Sequence, residues 1–132
     1  MILEIIALDK SAAKPAKALE KISKKLGKLL AKKGFTEVFL IKSQRMQSLN
    51  NRFRGKNTST NVLSFTAPKN FPGNKLGEVY LDPAYIQKHK EDLNLMLVHG
   101  VLHILGYDHK RKSDRIKMEK KEASILKLLS NH

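Results

Sequence analysis

Three histidines in one short stretch of the chain have the spacing of metal ligands. They are His99, His103 and His109, in the segment HGVLHILGYDH. Residues four apart share one face of a helix, so His99 and His103 can direct imidazole nitrogens to the same point. On a continuing helix His109 would lie about 9 Å further along the axis and would be turned away. The chain must therefore reverse after His103, and Gly106 allows a left-handed helix end at low cost.

A site of three imidazoles leaves one coordination position open. Structural zinc is usually closed by four ligands, whereas catalytic zinc keeps three protein ligands and one free position. The chain has no cysteine, and the lack of clustered carboxylates argues against magnesium or calcium. We predict one Zn²⁺ per chain, with other divalent transition metals as alternatives. If the histidines were instead unrelated, burying two of them without partners would cost about 1–3 kcal/mol each.

The elements that position these histidines follow from the hydrophobic pattern. Residues 92–105 are apolar nearly all round, which predicts a buried helix at the centre of the fold. The strand, helix, strand order at the start of the chain predicts a parallel pair, with its first strand largely buried. The predicted class is α+β, a small mixed, mostly parallel four-stranded sheet packed with helices, with a zincin-like central helix that carries the metal ligands. The four predicted strands are residues 2–8, 36–41, 62–65 and 76–81.

Local signals predict where the other helices begin, end and face. Gly34 is the predicted stop of an amphipathic helix over residues 12–33. Ser43 is the predicted cap of the next helix, and Gly77, inside the fourth strand, indicates close approach by another element. A last helix is predicted to begin at Ser113 or Asp114 and to face inward with Ile116, Ala123 and Leu126.

Length and composition limit the class of protein. A chain of 132 residues is predicted to form a single domain, residues 1–132. No segment is long and apolar enough for a spanning helix and the start does not resemble a signal peptide, so a cytoplasmic location is expected and no membrane partner. The formal charge of +14 and the pI near 10.1 are typical of a nucleic-acid binder. A generally lysine-rich proteome is the alternative explanation.

The arginines lie in two segments on either side of the third and fourth strands. Planar guanidinium groups suit phosphate better than ammonium groups do. Among them, Arg52 and Arg111, together with Lys56, are candidates for nonspecific contact with a nucleic-acid backbone. Aromatic residues make up only 6% of the chain and tryptophan is absent, so no base-stacking platform is predicted. The five arginines are Arg45, Arg52, Arg54, Arg111 and Arg115.

One residue departs from the peptidase signature that shares this histidine spacing. Metzincin peptidases have the pattern HExxHxxGxxH, in which the glutamate activates water. This chain has Gly100 in place of that glutamate, which argues against a peptidase. Asp108 is a candidate either as a base or as a carboxylate that orients a ligand histidine. A turn aspartate that faces solvent is an equally good interpretation of Asp108.

Together these segments resemble the YbeY family of bacterial rRNA maturation endoribonucleases. The resemblance implies a metal-dependent hydrolase, a single-zinc endoribonuclease that prefers single-stranded RNA. It also implies a role in maturation of the 16S rRNA 3′ end and in 70S ribosome quality control, with ribosomal or ribosome-assembly proteins as possible partners. The matching segments are Leu49-Asn50, Phe53-Arg54-Gly55-Lys56, residues 60–65, Gly77-Glu78-Val79 and residues 99–109.

The resemblance also assigns residues to roles. His99, His103 and His109 fall on the family's metal ligands, and Arg54 falls on its arginine beside the metal. Zinc would lower the pKa of a bound water and polarise the scissile phosphate, while Arg54 would stabilise charge on the phosphoryl oxygens. The nucleophile, either that water or the RNA 2′-hydroxyl, is left open. A noncatalytic RNA-binding assembly factor stabilised by zinc is the second hypothesis, and an atypical metallopeptidase is the third.

Overall fold

The computed structural model describes residues 1–130, and its framework is one four-stranded sheet. The strand order is β1-β2-β4-β3, with β1, β2 and β4 parallel and β3 antiparallel to β4. The prediction of a small mixed, mostly parallel sheet is therefore confirmed. The strands are β1 (Ile2–Ala7), β2 (Phe35–Leu40), β3 (Val62–Thr66) and β4 (Lys75–Leu81).

Helices cover both faces of the sheet unequally. On one face the main hydrophobic core joins the sheet to α1, α4 and α5, and α4 packs directly on β3 and β4. On the other face, α2 closes a smaller cluster of Ile41, Met46 and Leu63. None of the helices within residues 1–130 is long and apolar enough to cross a membrane. The helices are α1 (Ala13–Leu29), α2 (Ser43–Arg54), α3 (Pro83–Lys88), α4 (Leu93–Ile104) and α5 (Lys112–Ser130).

The helix α4 lies at the centre of the fold, as its apolar sequence predicted. Six of its residues are buried, and the Asp92 carboxylate caps its first turn by accepting from the Asn94 amide at 2.9 Å. Gly77, which was predicted to allow another element to approach β4 closely, does allow it. A Cβ on Gly77 would lie 2.6 Å from Ile104 Cδ1, so the end of α4 rests directly on the β4 backbone.

Three predictions near the start of the chain are wrong for tertiary reasons. The strand β1 is not largely buried, because it lies at the sheet edge and leaves Ile2 66% exposed. The helix α1 ends at Leu29, well before Gly34. Gly34 has φ +126° in the turn before β2, where a Cβ would lie 2.5 Å from the Asn74 carbonyl oxygen. Ser43 does not cap α2, because it is the first residue of the helix and Lys42 occupies the cap position; the Lys42 amide donates to the Asp9 carboxylate at 2.9 Å.

The predicted inward face of α5 is wrong at two of its three residues, whereas Leu126 is partly buried against the core as predicted. Ile116 is 44% exposed and Ala123 is exposed. Instead, one face formed by Met118, Glu122, Ile125 and Leu129 is buried. The acidic residue in this face turns inward because it has a partner on α4.

Candidate metal centre and active-site cleft

The fold brings the three predicted histidines together at the end of α4. His99 and His103 lie one helical turn apart, and their Nε2 atoms are 3.2 Å from each other. The chain then reverses at Gly106, which has φ +98° and open space around it. This reversal returns His109 to the other two, so that one ring nitrogen from each histidine lies within 4.8 Å of the others.

The two histidines of α4 have the spacing of two ligands of a tetrahedral transition-metal ion. Zinc–imidazole bonds of about 2.0–2.1 Å give a tetrahedral edge of about 3.3 Å, close to the 3.2 Å between the His99 and His103 nitrogens. Burial first, and then the neighbouring His99 and His109 imidazoles, lowers the pKa of His103 to about 4. The His103 ring is therefore neutral at pH 7 and has a lone pair for a metal.

Glu122 of α5 holds the first histidine in place. Its carboxylate Oε2 lies 3.0 Å from His99 Nδ1, and the residue is 9% exposed. With Nδ1 protonated and donating to this carboxylate, the His99 Nε2 atom is left as the acceptor that faces His103. A carboxylate in this position fixes the tautomer and the ring orientation of a ligand histidine.

A cleft of about 350 Å³ opens in front of the three histidines and includes Arg54. Arg54 is the last residue of α2, and the helix ends there because Gly55 adopts φ +67°. The opposite wall is β3, which is held to α4 by a hydrogen bond from Ser64 Oγ to the Gly100 carbonyl oxygen at 2.9 Å. The cleft is lined by Arg54, Val62, Leu63, Ser64, Thr66, His99, His103 and His109.

Gly100 packs against the sheet and has no room for a side chain. A Cβ there would lie 2.6 Å from Val79 Cγ1 and 3.0 Å from Val62 Cγ2. A glutamate base at this position, which the peptidase signature requires, would therefore collide with the core. The packing explains the glycine and removes the water-activating group of a zincin peptidase.

Among the described residues, the lining of this cleft does not include the other predicted ones, Arg52, Lys56, Arg111 and Asp108. Arg52 and Lys56 are exposed on either side of Arg54. Arg111 is exposed just before α5. The Asp108 carboxylate accepts from the Lys110 amide at 3.2 Å, whereas the carboxylate that lies against one of the three histidines, His99, belongs to Glu122.

Sequence reasoning missed Glu122, although a signal for it was present. With Met118, Ile125 and Leu129 it forms steps of four, three and four residues, which is the spacing of one helix face. An acidic residue inside such a face needs a buried partner. That requirement would have directed attention to the histidines.

Comparison with known proteins agrees with this geometry. A family model described as Endoribonuclease YbeY matches residues 5–130. The chain belongs to the YbeY endoribonuclease family. The family predicted from the sequence is therefore confirmed, and the predicted enzyme class, an RNA-cleaving hydrolase, is the class that the family name gives.

Relatives of the YbeY family match most of the chain. It is 38% identical to Endoribonuclease YbeY of Neorickettsia sennetsu, with 98% of each chain covered. It is 37% identical to the Thermodesulfovibrio yellowstonii protein of that name, over 78% of this chain and 74% of the relative. The solution structure of TM1509 from Thermotoga maritima superimposes with a TM-score of 0.65 at 23% identity, covering 96% of this chain and 88% of that one. This likeness supports the fold.

Proposed function

We propose that the protein is a zinc-dependent endoribonuclease that cleaves single-stranded RNA in the cytoplasm. We further propose that its substrate is the precursor of small-subunit rRNA, that it matures the 3′ end, and that it takes part in ribosome quality control with ribosomal or assembly proteins as partners. Membership of the YbeY family supports RNA cleavage. The single observation that carries the chemistry is one cleft that contains three convergent imidazoles and an arginine.

The metal site assigns distinct tasks to the residues around it. His99, His103 and His109 would hold the ion, and a bound divalent ion supplies Lewis acidity toward a phosphoryl oxygen. Glu122 keeps the His99 ring oriented through its 3.0 Å contact. Arg54 lines the same cleft as the three histidines, so a phosphodiester bound there would meet both.

Arg54 is the group that would meet the substrate phosphate. Its guanidinium offers a planar set of donors that matches two phosphoryl oxygens. Because charge on those oxygens grows as the phosphorus becomes five-coordinate, a donor already in place stabilises the transition state more than the ground state. Arg52, Lys56 and Arg111 would hold flanking phosphates without reading sequence.

Replacement of Arg54 tests the catalytic proposal. We expect Arg54→Ala to keep one zinc per chain and the wild-type melting temperature, and to reduce cleavage of single-stranded RNA by about 10²–10³-fold, the usual loss when a charge-stabilising donor is removed. Arg54→Lys should recover only part of the rate, because a lysine lacks the planar fork. Lys28→Ala, an equal loss of charge on the exposed face of α1, is the matched control and should cleave normally.

Measurement of bound metal and the replacement of single histidines complete the test. His109→Ala should lose bound zinc, since the chain has no thiolate to replace the missing ligand. His103→Ala should be inactive, and residual cleavage in that variant would indicate a contaminating nuclease. If the wild-type protein binds zinc and RNA but does not cleave RNA, it is a noncatalytic assembly factor.

A further inference from the structure

Half of the aromatic side chains form one continuous row on the face of the sheet that carries α2. The chain has eight Phe and Tyr residues, and four of them are in contact here. Phe39 stacks on Tyr80 with ring centroids 5.0 Å apart, and Tyr80 meets Phe65 edge-on at 5.8 Å. Phe53 of α2 then contacts Phe65 at 5.0 Å. The low aromatic content had argued against a stacking surface, but the fold concentrates these residues in one place.

Phe53 is the open end of this row. The residue is 55% exposed, whereas Phe39, Phe65 and Tyr80 are partly buried. The Arg52 guanidinium lies 5.4 Å from the centre of the Phe53 ring, a cation–π distance. An exposed phenyl ring with a guanidinium beside it combines the two elements with which proteins bind single-stranded nucleic acid, a stacking face and a cation for the phosphate.

The charges along the row favour the Phe53 end for an anionic ligand. Near Tyr80, the Glu78 carboxylate accepts from the Tyr80 hydroxyl at 2.8 Å, and Lys75 pairs with both Glu37 and Glu78. Glu78 is also the cross-strand partner of Phe65, but both of its carboxylate oxygens already have partners, Lys75 and the Tyr80 hydroxyl. The Phe53 end lies among Arg52, Arg54 and Lys56 in sequence, without an acidic residue between positions 38 and 77.

Phe53 and the histidine cleft lie on opposite faces of the sheet, next to the same edge strand, β3. Phe53 directly precedes Arg54, which lines that cleft. On the strand beneath, Phe65 supports the Phe53 ring, and the next residue, Thr66, lines the cleft. The last turn of α2 and the end of β3 thus present an aromatic ring on one side and the reactive cleft on the other.

We propose that Phe53, supported by Phe65 and flanked by Arg52, is a stacking site for a nucleobase of single-stranded RNA adjacent to the scissile phosphate. This inference rests on the proposed function and names a substrate-binding residue for it. The site would favour unpaired RNA, because a base within a duplex already stacks on its neighbours. It would prefer purines, whose larger rings cover more of the phenyl face.

Binding of two matched oligonucleotides tests the stacking site. Fluorescence anisotropy with the metal-loaded protein would compare a short single-stranded oligoadenylate with an abasic ribose-phosphate oligomer of the same length. Phe53→Leu should weaken oligoadenylate binding about fivefold or more, as expected for loss of one base stack, and should leave abasic binding within about twofold. Phe53→Tyr, which keeps the ring, should bind oligoadenylate like the wild type.

Controls separate this inference from general apolar contact and from the proposed function. Phe71→Leu removes a comparably exposed ring, 44% against 55%, that also has a cation beside it, Lys75 at 5.6 Å, but lines a separate cleft with Glu78. An equal loss in Phe71→Leu, or an equal loss of abasic binding in Phe53→Leu, would overturn the stacking site. Wild-type protein that binds oligoadenylate through Phe53 but never cleaves RNA would refute only the proposed function. Active protein whose Phe53→Leu variant binds oligoadenylate normally would refute only the stacking site.

Discussion

Removal of the Glu122 carboxylate should weaken metal binding without removing any ligand. The 3.0 Å contact joins a buried carboxylate to His99 Nδ1. Charge-assisted hydrogen bonds of this kind contribute about 1.5–3 kcal/mol. Loss of a carboxylate that orients a ligand histidine typically costs 10–100-fold in metal affinity, or about 1.4–2.7 kcal/mol. The two ranges overlap, so we expect Glu122→Ala to raise the zinc dissociation constant by about 10–100-fold.

The assay is competition for zinc with a chromophoric chelator at pH 7, which reads the affinity and not the activity. Glu122→Gln should show a smaller rise, because its amide oxygen still accepts from Nδ1–H although the charge is gone. Glu119→Gln is the matched control. Glu119 is exposed on the same helix and lines a neighbouring cleft with His99 and His109. Its replacement by glutamine therefore removes the same negative charge while the hydrogen bond between His99 and Glu122 stays in place. Unchanged affinity in Glu122→Ala, or equal weakening in Glu119→Gln, would refute the orienting role.

Three further outcomes follow from packing, ion pairing and charge. Gly100→Ala places a methyl group 2.6 Å from Val79 Cγ1 and should lower the free energy of unfolding in urea by about 1–3 kcal/mol. Lys75 lowers the pKa of Glu78 against the opposing effect of burial, which is the largest single influence. The ion pair with Lys75 therefore stabilises the folded protein at pH values above the pKa that Glu78 has in the unfolded chain. This stabilisation is lost as the pH falls through the lower pKa that Glu78 has in the folded protein. Acidification from about pH 5 to pH 3 should therefore destabilise the wild type by about 0.5–1 kcal/mol more than Lys75→Met, as measured by urea unfolding at each pH. RNA affinity should fall with salt, and Arg111→Ala should reduce the slope of log K against log salt by about 0.7 if its guanidinium neutralises one phosphate.

Much of the candidate metal site could be predicted from the sequence, because the residues that form it are close together in the chain. The four-residue step between His99 and His103 is a property of any helix, and Gly106 marks the reversal that His109 needs. The apolar composition of residues 92–105 likewise indicates burial without knowledge of the partner. The parallel pairing of the first two strands followed from their strand, helix, strand order, whereas the order of the four strands was not predicted.

The tertiary structure alone decided what lies against these elements. Glu122 is 23 residues from His99 in sequence; the spacing of its helix face indicates that it is buried but does not identify the residue that it contacts. The aromatic row combines residues from α2 and three strands. No single one of these residues indicates a surface, and they come into contact only because β4 lies between β2 and β3 in the sheet. The sequence showed that Gly100 replaces the glutamate of the peptidase signature. Its contact with Val79 could be known only from the way α4 packs on the sheet. Packing joins residues that are distant in the chain, and pairwise contacts of that kind are not encoded in the periodicity of any one segment.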